Sequence, residues 1–354
     1  MSKTTSPFIV AKKHSIAQQL KVSALSSMML LAAGHTLAAD DTKKDVKKEE
    51  GKLSTVKVNA DAINADFKVE KVSSDKFTQP LVDTPQTIVV VKKELFQQQA
   101  ATTLSETLRN TPGITLLMGE NGNTATGDSI FMRGFDTQGS IFVDGIRDLG
   151  TISRDTFNTE QVEIAKGPAG VDNGRGAASG YVNLSSKVAN LDDATSGNVT
   201  LGTGEYKRST LDVNRALGDS SALRVNLVAQ KAGVDGRDEI ENNLTGIATS
   251  LALGLGSETR TYVNLLHVEQ RNLPDGGVST AGLDGFYSAE YVKVFPSNGP
   301  AIATPDSSNF YGSKNDHNDV DASMVTVRVE HDLDKDVVLR NTSRFGRSKQ
   351  DLEF

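Results

Sequence analysis

The stretch Ala222-Leu223-Arg224-Val225-Asn226-Leu227-Val228-Ala229-Gln230 decides the architecture. In an extended chain Leu223, Val225, Leu227 and Ala229 share one face, while Arg224, Asn226 and Gln230 share the other. Such a split describes a strand with one side on an apolar phase and the other on water or polar protein. Six more runs of strand character surround it, at 197–203, 208–216, 246–255, 259–270, 321–331 and 337–347. Taken alternately, their connections are 204–207, 231–245 and 271–320 at one end and 217–221, 256–258 and 332–336 at the other. Tight turns opposed to lengthening loops are the pattern of an outer-membrane β-barrel. On the strands alone, a soluble β-sandwich is the alternative.

Composition narrows the function. The 354 residues contain no Cys, which removes disulfides, thiolate metal sites and a thiol nucleophile. No apolar run reaches the roughly 18 residues of a membrane-spanning helix, a test that barrel strands escape. A net charge of −7 disfavours a nucleic-acid partner. His14, His35, His267, His317 and His331 are scattered, so no protein-bound metal is expected. No phosphate loop, nucleophile elbow or paired-carboxylate motif occurs, and an enzyme is not expected.

Residues 1–39 read as a secretory signal: Lys12, Lys13 and Lys21 precede the apolar run 22–33, and Leu37-Ala38-Ala39 offers a cleavage site. A short buried helix is the other reading of that run. Residues 40–66 are a tether. Ten of the fifteen residues 40–54 are charged, of both signs, and cannot bury enough surface to order themselves. A β-prone run with alternating Val follows, Thr55-Val56-Lys57-Val58. From 67 to 190 the pattern is mixed α+β, with strands expected at 86–91, 114–117, 129–133, 141–143, 161–165 and 181–185. The capping box Thr103-Leu104-Ser105-Glu106 starts a short helix.

Three segments in this region, Phe131-Met132-Arg133-Gly134-Phe135, 141–148 and Val162-Glu163-Ile164-Ala165-Lys166-Gly167-Pro168, resemble the plug domain of TonB-dependent outer-membrane receptors, and Asn173-Gly174-Arg175-Gly176 and Gly180-Tyr181-Val182-Asn183-Leu184 complete the order. The stretches 211–214, 218–226 and 268–277 are most similar to catecholate-type siderophore receptors. The resemblance implies an α+β plug (67–190) followed by antiparallel transmembrane β-barrel strands (191–354). Such barrels close with about 22 strands; seven candidates lie here, so the expectation is an N-terminal fragment with a complete plug and part of a barrel.

The resemblance also implies partners and sites. Thr55, Val56, Lys57 and Val58 match the segment pulled by TonB, which works by strand addition to a partner's sheet edge; the alternative is a permanently docked first strand. Ferric siderophore is expected at the loop end. There Glu120, Asn121, Asn123, Thr126, Arg147, Asp148 and Leu149 of the plug would meet Tyr287, Phe310 and Tyr311 of the long loop. Aromatic faces and guanidinium groups suit a flat anionic ferric catecholate; packing of the loop on its neighbours is the plainer role for these aromatics. Arg133, Glu163, Lys166 and Arg175 are expected either at a polar plug–barrel interface or in salt bridges within the plug. No cofactor is called for, because iron travels inside the siderophore, and the remaining contact is outer-membrane lipid. The expected activity is TonB-dependent import of a ferric siderophore; another ligand such as haem or cobalamin, a passive channel or an adhesin are the rivals.

Overall fold

A computed structural model describes residues 69, 71–74, 76, 77, 79–117, 127–148, 150, 152–170, 174, 178–278 and 305–353. Two sheets and two short helices form its first part. The strands are β1 (Thr87–Lys92), β2 (Ile114–Leu116), β3 (Ile130–Met132), β4 (Phe135–Asp136), β5 (Ile141–Val143), β6 (Ile146–Arg147), β7 (Thr159–Lys166) and β8 (Gly180–Ser186). The larger sheet runs β1-β7-β8-β5-β6, with β5 parallel to β8 and the other pairs antiparallel; β2-β3-β4 is a separate small sheet.

Helices α1 (Lys93–Gln98) and α2 (Leu104–Leu108) cover one face of the larger sheet. Phe96, Leu104 and Leu108 pack there with Val162, Ile164 and Val182, all at most 2 % exposed. Phe142, Ala165 and Tyr181 fill the other face, with Phe77 and Ile88. β7 and β8 are buried along most of their length on both faces, as expected of central strands, although β7 carries Glu163 and Lys166 and β8 carries Asn183 among its buried residues. The expected capping box is formed: Glu106 N–H donates to Thr103 Oγ1 (3.2 Å), and Thr103 N–H donates to Glu106 Oε2 (3.2 Å). Thr103→Ala is expected to lower plug stability by about 1 kcal/mol, read as a shift of the thermal midpoint.

Seven antiparallel strands follow in simple succession: β9 (Ala194–Leu201), β10 (Lys207–Gly218), β11 (Ser221–Lys231), β12 (Glu241–Leu253), β13 (Thr259–Leu273), β14 (His317–Asp334) and β15 (Val337–Glu353). Their alternation is inverted relative to a water-soluble sheet. Asn214, Asn226 and Ser250 are 2–3 % exposed against the first part, whereas Leu211, Leu227 and Ile247 are 37–42 % exposed on the outside. Register places Leu211, Leu227 and Ile247 side by side across β10, β11 and β12, an apolar band suited to lipid. Together these elements form a plug and a wall of antiparallel barrel strands.

The strands extend further than periodicity predicts. β12 starts at Glu241 rather than 246, β14 at His317 rather than 321, and β15 runs to Glu353 rather than 347. Above the apolar band the outward face is polar too, as with His267, Glu269 and Arg271 opposite Ser323, Asp321 and Asp319. Alternation of hydrophobicity therefore vanishes where hydrogen-bonded pairing continues.

Candidate functional site

Three places join the plug to the wall. The first is a chamber of about 400 Å³ at the loop end, floored by Thr103, Glu106 and Ser153 of the plug. Its walls carry Tyr206, Gln230, Asn242, Asn272, Asn318 and Gln350. These amides sit at the inward positions of successive strand ends, where the barrel alternation demands polar groups. Gln350 Nε2 donates to Asn318 Oδ1 (2.9 Å), and Gln230 Nε2 donates to the Asn242 carbonyl (3.3 Å). The wall is rich in uncharged hydrogen-bonding groups, while Glu106 and Asp155 of the plug are the carboxylates in the lining.

The second place lies beneath the chamber floor. Arg154, 6 % exposed, ties the plug apex together: Nε and Nη2 donate to Asp148 Oδ2 (both 3.0 Å) and Nη1 donates to Asp128 Oδ2 (2.9 Å). Burial pushes the Asp128 carboxyl up from its ordinary value, while the Arg154 charge and hydrogen bonds pull it down. Beside it Asp155 receives a bidentate Arg208 from β10 (2.8 and 2.7 Å), and burial again raises the carboxyl against the pull of the guanidinium.

The third is the seam below. Phe157 inserts between Val228, Leu244, Ala248 and Val268. Gly246 makes room for the ring, since a Cβ there would lie 3.1 Å from its Cζ. Further along, Lys187 (3.0 Å) and Arg224 (2.8 Å) converge on Asp212. Arg344 of β15 also reaches the plug, donating through Nη1 to the Val143 carbonyl (2.8 Å) and through Nη2 to Asp144 Oδ2 (3.3 Å).

Several expected site residues are placed differently. Asp148 turns inward to Arg154, and Arg147 lies over the Phe142 ring at 5.0 Å; neither lines the chamber. Phe310 and Tyr311 lie on the stem of the long loop, where Tyr311 Oη accepts from Asn309 Nδ2 (3.3 Å), and they too stand apart from the chamber lining. Glu163 corrects an expectation. Expected at the plug–barrel interface or in a salt bridge, it is 1 % exposed inside the plug and held there by neutral donors: Gln161 Nε2 (2.7 Å), Asn183 Nδ2 (3.0 Å) and Ser73 N–H. Its strand is central in the sheet, so its side chain meets plug, not wall. Lys166 donates to the Pro112 carbonyl (2.6 Å), and burial, then the charge of Arg133, lowers its pKa; the two cations share a small cleft with Gln86. Thr55, Val56, Lys57, Val58, Glu120, Asn121, Asn123, Thr126, Leu149, Arg175 and Tyr287 lie outside the described residues.

Sequence reasoning missed Asp128, Arg154, Asp155, Arg208, Asp212, Arg224 and Arg344. The one usable signal is the inward parity of Arg208, Asp212 and Arg224, whose charges recur on the polar face of β10 and β11. Among the described residues, no group of three or more His, Asp or Glu is placed to hold a metal ion.

Comparison with known proteins agrees with this geometry. Residues 80–181 match the TonB-dependent receptor plug domain. The chain is 45% identical over 287 residues to the catecholate siderophore receptor Fiu of Escherichia coli K12, covering 80% of this chain and 37% of that protein. The crystal structure of the ferric-catecholate import receptor Fiu in its closed form superposes with a TM-score of 0.74 at 43% identity, covering 81% of this chain and 40% of that one. The siderophore receptor PiuA of Acinetobacter baumannii gives 0.71 at 34% identity, covering 80% and 39%. The chain thus spans well under half the length of the relatives it matches.

Proposed function

Because this chain belongs to the TonB-dependent receptors, which are outer-membrane β-barrels, we propose that the receptor it belongs to imports a ferric siderophore of the catecholate class with energy from TonB. The observation that carries this reading is identity of 43–45% with a catecholate receptor, running through both plug and barrel strands. The architecture supports it. A plug is held in a polar-lined wall by ionic contacts that water can replace, which suits a device moved by pulling. The relatives matched are receptors, and the chemistry of the chain is recognition rather than bond-making.

In this reading ligand enters through the long loops, contacts the amide chamber and moves past the plug when the run Thr55-Val56-Lys57-Val58 is pulled. Glu120, Asn121, Asn123, Thr126 and Leu149 are the apical plug residues proposed to meet it, with Tyr287, Phe310 and Tyr311 of the long loop. Arg133, Lys166 and Arg175 are proposed to face the wall. Iron remains in its chelator, and the outer strand faces meet lipid.

Uptake of radiolabelled iron by cells carrying the intact receptor, with purified siderophores supplied singly, tests the proposal. Ferric catecholates are expected to be imported; import of only hydroxamates, haem or cobalamin overturns the ligand class. In the same assay Val56→Pro removes a backbone donor needed for strand addition. It is expected to abolish energised uptake while sparing surface binding, and normal uptake would remove the coupling role of that run.

A further inference from the structure

Above the apolar band the outward face of the wall is charged, and its two sides are balanced differently. On β13 and β14, Arg271 lies opposite Asp319 and bonds Asp321 (2.5 Å), so cation meets carboxylate. On β10 and β11, Lys207 lies directly opposite Lys231. Both lysines are exposed, and among the described residues neither has an ion pair. Carboxylates at neighbouring outward positions are engaged elsewhere: Glu241 accepts from Asn243 Nδ2 (2.8 Å), and Glu269 lies 3.4 Å from His267 Nε2. Like charges directly opposite, with Cβ atoms about 5 Å apart, destabilise an antiparallel pair. Next along the same strands, towards the apolar band, come the short side chains of Ser209, Ala229 and Thr245. They leave an outward groove of about 560 Å³ that runs onto Leu211, Leu227 and Ile247.

We infer that this groove binds one lipid of the surrounding leaflet, an acylated lipid whose head carries a phosphate monoester. The phosphate lies between Lys207 and Lys231, and an acyl chain lies over Leu211, Leu227 and Ile247. A monoester carries about two negative charges at neutral pH, which matches two facing cations; a phosphodiester carries one. Charge-assisted hydrogen bonds to its oxygens offset the repulsion that the lysines meet in the bare wall. The groove opens onto the band that faces lipid, so head and chain of a single molecule are served by adjacent rows of the same strands. Both lysine-bearing strands are flanked by wall strands, β9 on one side and β12 on the other, so the site is complete within the described wall. It requires only that the wall stand in the outer membrane and is independent of which siderophore the receptor imports.

Lipid A, which carries phosphate monoesters, is the probe. It is titrated into the intact receptor purified in detergent, and retained lipid is counted by native mass spectrometry. Lys207→Gln with Lys231→Gln is expected to weaken binding about tenfold or more, the loss that two cations at a lipid surface imply. Lys349→Gln, which removes an outward cation lying opposite Asp321, is expected to match the parent. Equal affinity of the double variant and the parent overturns the site. Phosphatidylglycerol, an acylated phosphodiester, is expected to show a smaller loss in the double variant; a loss as large as that of lipid A overturns the monoester assignment.

Thermal melting gives a second readout in which the sign changes with lipid. Without lipid the double variant is expected to melt no lower than the parent, because a repelling pair has gone. With lipid A the parent is expected to gain more than the variant, and equal gains overturn the site.

Discussion

Arg154→Ala is expected to destabilise the plug by about 3–5 kcal/mol, the cost of removing one partner from a buried ionic cluster. The guanidinium donates to Asp128, to Asp148 and to the carbonyls of Ile152 (3.2 Å) and Gly150 (2.9 Å), all from a site 6 % exposed. The Asp128 side chain is fully buried, so without Arg154 only the weak Ser105 hydroxyl contact (3.4 Å) and the residue 154 backbone N–H remain to it. Burial then outweighs those two remaining bonds by more, and the folded pKa of the carboxyl moves further above its unfolded value. A raised acid pKa makes the folded state bind more protons, so the deficit of the variant grows as pH rises and shrinks as pH falls through that pKa. Calorimetric melting of the detergent-solubilised receptor between about pH 3 and neutrality, a range spanning ordinary and raised carboxyl values, reads both effects. Arg154→Ala with Asp128→Ala is expected to be less damaging than Arg154→Ala alone, because the stranded charge is gone. If the single variant melts like the parent at neutral pH, the cluster is not what orders the apex.

Gly180→Ala is expected to prevent the plug from folding, a loss above about 4 kcal/mol. Gly180 opens β8 at φ +131°, and a Cβ there would stand 2.0 Å from the Ala165 carbonyl oxygen and 2.9 Å from Met132 Sδ. The oxygen belongs to the backbone of β7, paired with β8 through Lys166↔Gly180 and Ala165↔Tyr181. No rotamer change relieves that overlap; the two central strands must part. Gly134→Ala is the matched control, with φ +84° but nothing within 4 Å of its Cβ, and is expected to cost only about 1–2 kcal/mol of backbone strain. Protease digestion of intact cells and of isolated outer membranes separates the outcomes. Gly180→Ala should leave wall strands inserted and the plug digested, whereas Gly134→Ala should resemble the parent. A protease-resistant plug in Gly180→Ala would mean that the β7–β8 contact is looser than described.

Elements with a local signature are legible in the amino-acid sequence. The capping box marks α2 because Thr103 and Glu106 satisfy each other's backbone donors within one turn. All seven wall strands are legible too, because a lipid face and a polar face impose period two. Helix α1 is not: Lys92 offers no side-chain cap, so nothing announces its start. The two-residue strands β4 and β6 are too short to show a period. Glu163 misleads because its neighbours along the chain look like an interface motif, whereas the sheet order puts it at the centre of the plug.

The order of plug and wall, the parity of each barrel strand and the family resemblance all follow from the sequence alone, since they depend on residues a few positions apart. Which charges meet is settled only by packing in three dimensions. Asp155 and Arg208 are separated by 53 residues and Asp144 and Arg344 by 200, and neither pair has a periodicity or spacing that could announce it. Each of these buried charges is offset by its opposite, so the partnership is set by which strand the packing brings to that side of the plug.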